Sequence, residues 1–291
     1  MRRNATTGDI TYSAQDFLLF RESPFAAWME RLTLENPDHG IAPDSQYRAL
    51  ERAAWGKDGH RGASAPGRAV LEDHGARGMP WHEFIAAAGI PAVAREHPVP
   101  AEALQVASED VVSIAAHASE KQRSAATLTA MQQGAVCIAN AQLTVGPLSA
   151  SVDLLLRGTG VSDLGSYLYL PCDTQGHLRH HCAFHLACAA DLLSTLQGAL
   201  PAQLLLLREG EPLDTLRTED HIVLYRTVRK RFMAAQLGFR KHCMPDPAES
   251  SHFGRWTRCA QDILKHRAAA ARAASDAVAA HALERTIGLA S

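Results

Sequence analysis

"SVDLLLRGTGVSDLGSYLYLPCDTQ", residues 151–175, decides how this chain is expected to fold. Two apolar runs flank "GTGVSDLG", a cluster of turn-forming residues, so the stretch reads as two antiparallel strands. Just upstream, "VCIANAQLTV" reads as another strand, joined by the turn dipeptide "GP". Downstream, "HHCAFHLACAADLLSTLQG" has helical character and ends at Gly198, and "PAQLLLLREGEPL" supplies a fourth strand. The order strand, strand, strand, helix, strand points to an α/β fold: a mixed central sheet of about four to five strands flanked by helices.

Outside this centre the signals vary in strength. "SAQDFLLFRESPFAAWMERLTLE" predicts an amphipathic helix capped by Ser13 and broken near Pro24. Its stripe of Phe17, Phe25 and Trp28 reads as core. Residues 35–66 are rich in Gly, Pro, Ser and Asp, as loops are, and "GRAVLEDHGARG" predicts a short helix. Between residues 79 and 123 the periodicity is weak. "SAATLTAMQQGA" predicts a helix ending at Gly134, where a residue without Cβ suits a left-handed cap. Residues 219–239 form another amphipathic helix, and the alanine-rich segment from Arg258 onward predicts one or two more.

Composition narrows the function classes. The chain has 291 residues, of which 46% are hydrophobic, enough to bury a sizeable core. With 29 Lys and Arg against 31 Asp and Glu, the net charge is -2, so no global positive field draws nucleic acid to it. No run of eighteen apolar residues occurs, and "MRRNATTGDITYS" lacks the apolar segment of a secretory signal; a cytoplasmic protein with no membrane association is expected. The six cysteines include no C-x-x-C pair, so they read as reduced, small hydrophobes.

Several stretches together resemble one family. "SAATLTAMQQGAVCIANAQL", "SVDLLLRGTGVSDLGSYLYLPCDTQ" and "FHLACAADLLSTLQGALP" are similar to the nuclease part of the bacterial RecB-like putative nucleases, of the PD-(D/E)xK superfamily. "YSAQDFLLFRESPFAAWMERL" and "PDPAESSHFGRW" extend the resemblance over most of the chain, with residues 55–120 poorly matched. It implies a restriction-endonuclease-like core, with residues 1–245 as the nuclease-fold domain and 246–291 as a helical extension packed on it. It also implies DNA as substrate and Mg²⁺ or Mn²⁺ as cofactor.

The family's chemistry assigns roles. Acidic residues on the second and third strands hold the metal, which polarises the phosphate and activates a water. A lysine two residues beyond the second acid shares its face of the strand and assists that water. Asp153 stands at the first acid and Asp173 at the second, which makes them the catalytic and metal-binding pair. The lysine position holds Gln175, whose neutral amide can neither accept a proton near neutral pH nor offset phosphate charge. His185 replaces the glutamine of the family's "Q-x-x-x-Y" helix, and Ala189 its tyrosine. Pro66 and Gly67 stand where the family has an "H-E" pair. These departures imply weak or absent phosphodiester hydrolysis, and they leave a second reading open: a non-catalytic module, derived from the nuclease fold, that binds nucleic acid or protein.

Three further patterns have both a sharp and a bland reading. Arg226, Arg229 and Lys230 in "YRTVRKRF", with Arg179, could track phosphates, or could line the solvated face of a helix. His181, His185 and Cys188 fall at i, i+4 and i+7 on one predicted helix and include zinc-type ligands, yet form no established zinc signature, so zinc is not expected. Glu22 stands where the iron–sulfur variant would place its first cysteine, so no cluster is expected either.

Overall fold

A computed structural model describes residues 1–3, 8–44, 111–174, 179–207 and 214–288. By contact density the chain divides into two units, one spanning Met1–Leu18 and Glu51–Ala234, the other Leu19–Leu50 and Ala235–Ser291. The predicted helix "GRAVLEDHGARG", with Pro66 and Gly67, lies outside the described residues, as does Gln175.

The first unit is a mixed α/β structure. Its sheet has six strands: β3 (Val111–Ser113), β4 (Cys137–Val145), β5 (Leu148–Ser162), β6 (Gly165–Asp173), β7 (Gln203–Leu206) and β8 (Asp214–Arg217), in that spatial order. β1 (Arg2–Arg3) and β2 (Ile10–Thr11) pair separately. β4, β5 and β6 are antiparallel neighbours, β7 runs parallel to β6, and β3 runs parallel to β4. The expectation of four to five strands is therefore too low. The extra strands, β3 and β8, are edge segments of three and four residues, too short to show alternation in sequence.

The β5–β6 hairpin also differs from its sequence reading. The turn is only Asp163–Leu164, and residues 158–162 continue β5. Ser162 Oγ accepts from Leu164 N at 3.1 Å and donates to Tyr167 O at 2.5 Å, tightening the reversal. The ladder is irregular between Thr159 and Ser162, and there Gly160 has φ +148°; a Cβ on it would lie 2.3 Å from Leu168 Cδ2. Glycine is thus needed for both conformation and space.

The helix α3 (Glu120–Gln132) precedes β4, and its start is fixed by a capping box in which Ser119 and Gln122 satisfy each other's backbone amides. It ends before Gly134, whose φ of +73° matches the predicted left-handed cap. The hydroxyls of Tyr167 and Tyr169 donate to the Met131 and Ala135 carbonyls at 3.0 and 2.7 Å, so α3 and its exit lie over the face of β6 that carries these tyrosines. The alternate face of the sheet buries Cys137, Ala139, Leu154, Leu156, Leu170, Cys172, Leu205 and Leu207 as one apolar cluster.

The helix α4 (Arg179–Leu196) links β6 to β7. From Cys182 to Leu193 only His185 is not fully buried, which explains its near-continuous apolar sequence. Phe184 meets Tyr225 of α5 (Glu219–Leu237) edge-to-face at 5.5 Å, and Phe17 of α1 (Ala14–Glu22) meets Tyr225 and Phe232 at 5.9 and 4.9 Å. Asp191 is the charged exception on α4, only 5% exposed. Arg226 Nε donates to its Oδ1 at 2.7 Å and Arg229 Nη1 donates to its Oδ2.

In the second unit, Ser23 caps α2 (Pro24–Glu35), accepting from Ala26 N at 3.0 Å; the break in the predicted N-terminal helix is this cap followed by Pro24. Glu30 is held by Arg255 through both carboxylate oxygens, 2.6 and 2.5 Å, and by Trp256 Nε1 at 3.0 Å. Trp256 packs with Phe25, Met29 and Leu32. The C-terminal segment is a single helix, α6 (Thr257–Gly288), exposed from Glu-free, alanine-rich turns beyond Leu264 to Ala279. No helix among the described residues is long and apolar enough to cross a membrane.

Removing Asp191 leaves two arginines that are half in water and can turn outward, so Asp191→Ala is expected to destabilise the chain by about 2 kcal/mol, below the ~3–5 kcal/mol of a fully buried broken pair. Urea unfolding of Asp191→Ala beside Arg226→Ala and Arg229→Ala checks this; a cost under ~0.5 kcal/mol for the aspartate variant would show the clamp to be dispensable.

Candidate active site

The register of the meander places the two predicted acids. Leu154 pairs with Cys172 and Leu155 with Pro171, so one further step sets Asp153 directly opposite Asp173. Directly opposed residues of an antiparallel pair project to the same face, with Cβ atoms about 4.5–5.5 Å apart. The carboxylates therefore share one face of the sheet at the end of β6.

Thr174, the next residue, fixes one of them. Its backbone N–H and its hydroxyl both donate to Asp153 Oδ2, at 2.9 and 2.8 Å. Both donors fall on one oxygen, which sets the rotation of the carboxyl and leaves Oδ1 clear of them. Burial pushes the Asp153 carboxyl above its ordinary range, and the charge of Asp173 pushes it further; the two Thr174 hydrogen bonds and the charge of His185 act in the opposite direction. His185, half-buried in the second turn of α4, is thus within electrostatic reach of the pair.

The same face of the sheet carries a polar strip, buried at Gln142 and Ser149. Ser151 Oγ donates to Gln142 Oε1 at 2.9 Å, Gln142 Nε2 donates to Ser149 Oγ at 2.8 Å, and Ser149 Oγ donates to Glu120 at the start of α3. Even-numbered side chains of β4 therefore share a face with odd-numbered side chains of β5, the face of Asp153. No motif marks this strip, and Thr174, though it lies within the stretch that carries the family resemblance, is given no role by it.

Asp153, Asp173 and His185 are thus brought together. The helix start carries Arg179, whose side chain, like Gln175, lies outside the described residues. Arg226 and Arg229 are engaged by Asp191, with the Arg229 guanidinium 5.8 Å from the Tyr225 ring centre, and Lys230 is exposed on α5. Cys188 is fully buried beside Tyr225, while His185 lies toward the carboxylates, so the i, i+4, i+7 set does not face one way. Four cysteines are buried, and all six are free thiols.

Among the described residues no group of three or more His, Cys, Asp or Glu side chains is arranged to hold a metal ion. Two carboxylates suffice for a hard divalent cation that keeps several waters, the usual habit of Mg²⁺. Crowding of two negative groups at a partly buried position is what such a cation would relieve, so the donor set fits Mg²⁺ or Mn²⁺ and suits zinc poorly. The chain matches no protein-family model and no curated protein.

The electrostatics set a pH dependence. The unfolded Asp153 ionises near 3.8 and the folded one higher, so between the two values the folded state holds the extra proton and stability falls as pH rises. Asp153→Asn, which keeps an acceptor for Thr174, is expected to raise the Tm at pH 7.5, with the gain vanishing below about pH 4. Thermal melts across that range check it; equal gains at pH 3.5 and 7.5 would remove the electrostatic explanation.

Proposed function

We propose that this chain is a RecB-like nuclease-fold protein of the PD-(D/E)xK type that acts on or binds DNA, with a divalent cation held by Asp153 and Asp173. The observation that carries the reading is the opposition of these two carboxylates across β5 and β6, on one face, with Thr174 orienting the first. The element order α3, β4, β5, β6, α4, β7, an antiparallel meander followed by a helix and a strand parallel to β6, supports a restriction-endonuclease-like core.

When bound, Mg²⁺ or Mn²⁺ would polarise a phosphodiester and make a coordinated water more acidic. The chain's own groups then do the rest. Asp153 and Asp173 localise positive charge at the sheet end. Thr174 holds Asp153 in one orientation. His185 adds an imidazole ring beside the pair, where it can hydrogen-bond to a phosphate oxygen. Gln175 in the lysine position leaves the attacking water without a cationic partner. Turnover is accordingly weak or absent, and a non-catalytic DNA- or protein-binding role is the second reading, favoured by that substitution alone.

The decisive assay incubates the chain with Mg²⁺ or Mn²⁺ and linear single- or double-stranded DNA. Gln175→Lys is expected to raise cleavage by roughly 10²-fold or more, the usual worth of a positioned proton-transfer group, and Asp173→Ala to abolish it in the same background. Salt-sensitive DNA binding without cleavage in Gln175→Lys would favour the binding module. Neither cleavage nor DNA binding, with no retained cation, would overturn the nuclease-fold reading altogether.

A further inference from the structure

Helix α3 brings a cation onto the face of the sheet that carries the two acids. Glu120, Arg123 and Thr127 fall at i, i+3 and i+7, on one side of that helix. Both outer members bond to the sheet: Glu120 accepts from Ser149 Oγ of β5, and Thr127 Oγ1 accepts from Gln142 N of β4 at 3.0 Å. Arg123 lies between them and turns inward as well, its Nη2 donating to the Asn140 carbonyl of β4 at 3.2 Å. Ala139 pairs with Leu154 and Ala141 with Val152, so this carbonyl belongs to the stretch of β4 that flanks Asp153, one strand spacing of about 4.8 Å away.

The charge of Arg123 goes unanswered. Among the described residues it touches no carboxylate: its one hydrogen bond runs to a neutral carbonyl, and its Nε is buried without a partner. Glu120, the acid one turn away, is already divided, Oε1 to Ser149 and Oε2 to Arg2 of β1 at 3.1 Å. Burial pushes the Arg123 guanidinium below its ordinary value, Glu120 acts against that, and the charge of Arg2 acts with it, so the two arginines stand close enough to repel. Charges taken partly out of water are ordinarily paired, and two guanidinium groups beside one carboxylate leave a positive excess that an anion would relieve. The side chain of Arg2 is 49% exposed, and Ser151, two residues before Asp153 on the same face, is exposed too, so an incoming polymer meets open surface at both.

We infer that Arg123 and Arg2 form a backbone-phosphate site for a nucleic-acid strand that crosses the acid face towards Asp153 and Asp173. The inference rests on the nuclease-fold reading and adds to it the path of the polymer. Ser149, beside Glu120, and Asp153 are four residues apart on β5. That is about 13 Å, the rise of roughly four nucleotides of one strand. A phosphate held by the arginines therefore belongs to a neighbour of the nucleotide at the acids, and the contact positions the polymer without reading its sequence. A guanidinium suits this task, because it stays charged and its planar donors match phosphate oxygens. It does not stand in for the missing lysine, whose place is at the attacking water.

Fluorescence anisotropy of the full chain with short fluorescein-labelled DNA, single-stranded and duplex, over a KCl series tests this, with thermal melts and Mn²⁺ titration in parallel. Arg123→Gln and Arg2→Gln are each expected to weaken binding about fivefold on every sequence and to lower the slope of log affinity against log salt by about 1, while Arg123→Lys keeps the slope. Both glutamine variants should hold Mn²⁺ as the wild type does. Arg2, at the surface, carries the test if Arg123→Gln fails to fold. Wild-type affinity and slope in the folded variants would assign Arg123 to tethering α3 on β4, overturning the phosphate site and leaving the acidic pair standing. Polyglutamate that displaces the labelled DNA as well as unlabelled DNA does would point to an acidic protein and overturn the nucleic-acid assignment. A wild-type chain that binds no DNA at low salt would overturn this inference and the DNA reading together.

Discussion

The register of β5 against β6 is the constraint on which the site depends. Side chains alternate along a strand with period two, so a slip of one residue would send Asp173 to the apolar face now occupied by Cys172 and Leu170. That slip is opposed on both sides. The cluster of Leu154, Leu156, Leu170 and Cys172 must stay dry, and the two-residue turn at Asp163–Leu164 together with the one-step shift between Thr159 and Ser162 sets the pairing of the strands it joins. Gly160 contributes by letting the bulged strand pass Leu168 at close range.

With the register set, the surrounding helices serve to anchor it. Tyr167 and Tyr169 reach from β6 to the end of α3, and Gln197 at the end of α4 pairs with both backbone groups of Tyr169, at 2.8 and 3.2 Å. β6 is therefore pinned along its length by its neighbour β5, by α3 and by the segment after α4. His185 is carried toward the carboxylates by the same α4 that Asp191 and the aromatic contact of Phe184 with Tyr225 hold in place. An electrostatically unfavourable pair of acids persists where the frame around it is over-determined.

Much of this was legible in the sequence, and the limits have physical causes. β4, β5 and β6 announce themselves because nine- to fifteen-residue runs bounded by Gly and Pro leave little alternative. The helix ends at Gly134 and near Gly198 were legible for the same reason. β3 and β8 were not, because three or four residues at a sheet edge carry no period. Residues 158–162 read as turn because their composition is turn-like, although a bulge with Gly160 uses the same residues within a strand. The pairing of Asp153 with Asp173 followed from motif resemblance. The role of Thr174 did not, since a double hydrogen bond leaves no pattern in composition. "YRTVRKRF" reads either as a patch for phosphates or as the solvated face of a helix, and the lone Asp191 in "ACAADLLS" was the overlooked signal that two of its arginines have an internal partner.

The acid of β6 and the threonine that steers the acid of β5 are consecutive residues, so both halves of the arrangement hang on a single peptide unit. A rotation or small drift at the end of β6 moves the second carboxylate and the rudder of the first together. Substitution at residue 175, beyond this unit, can therefore leave the acidic pair intact, whereas substitution within it has no half-measure available.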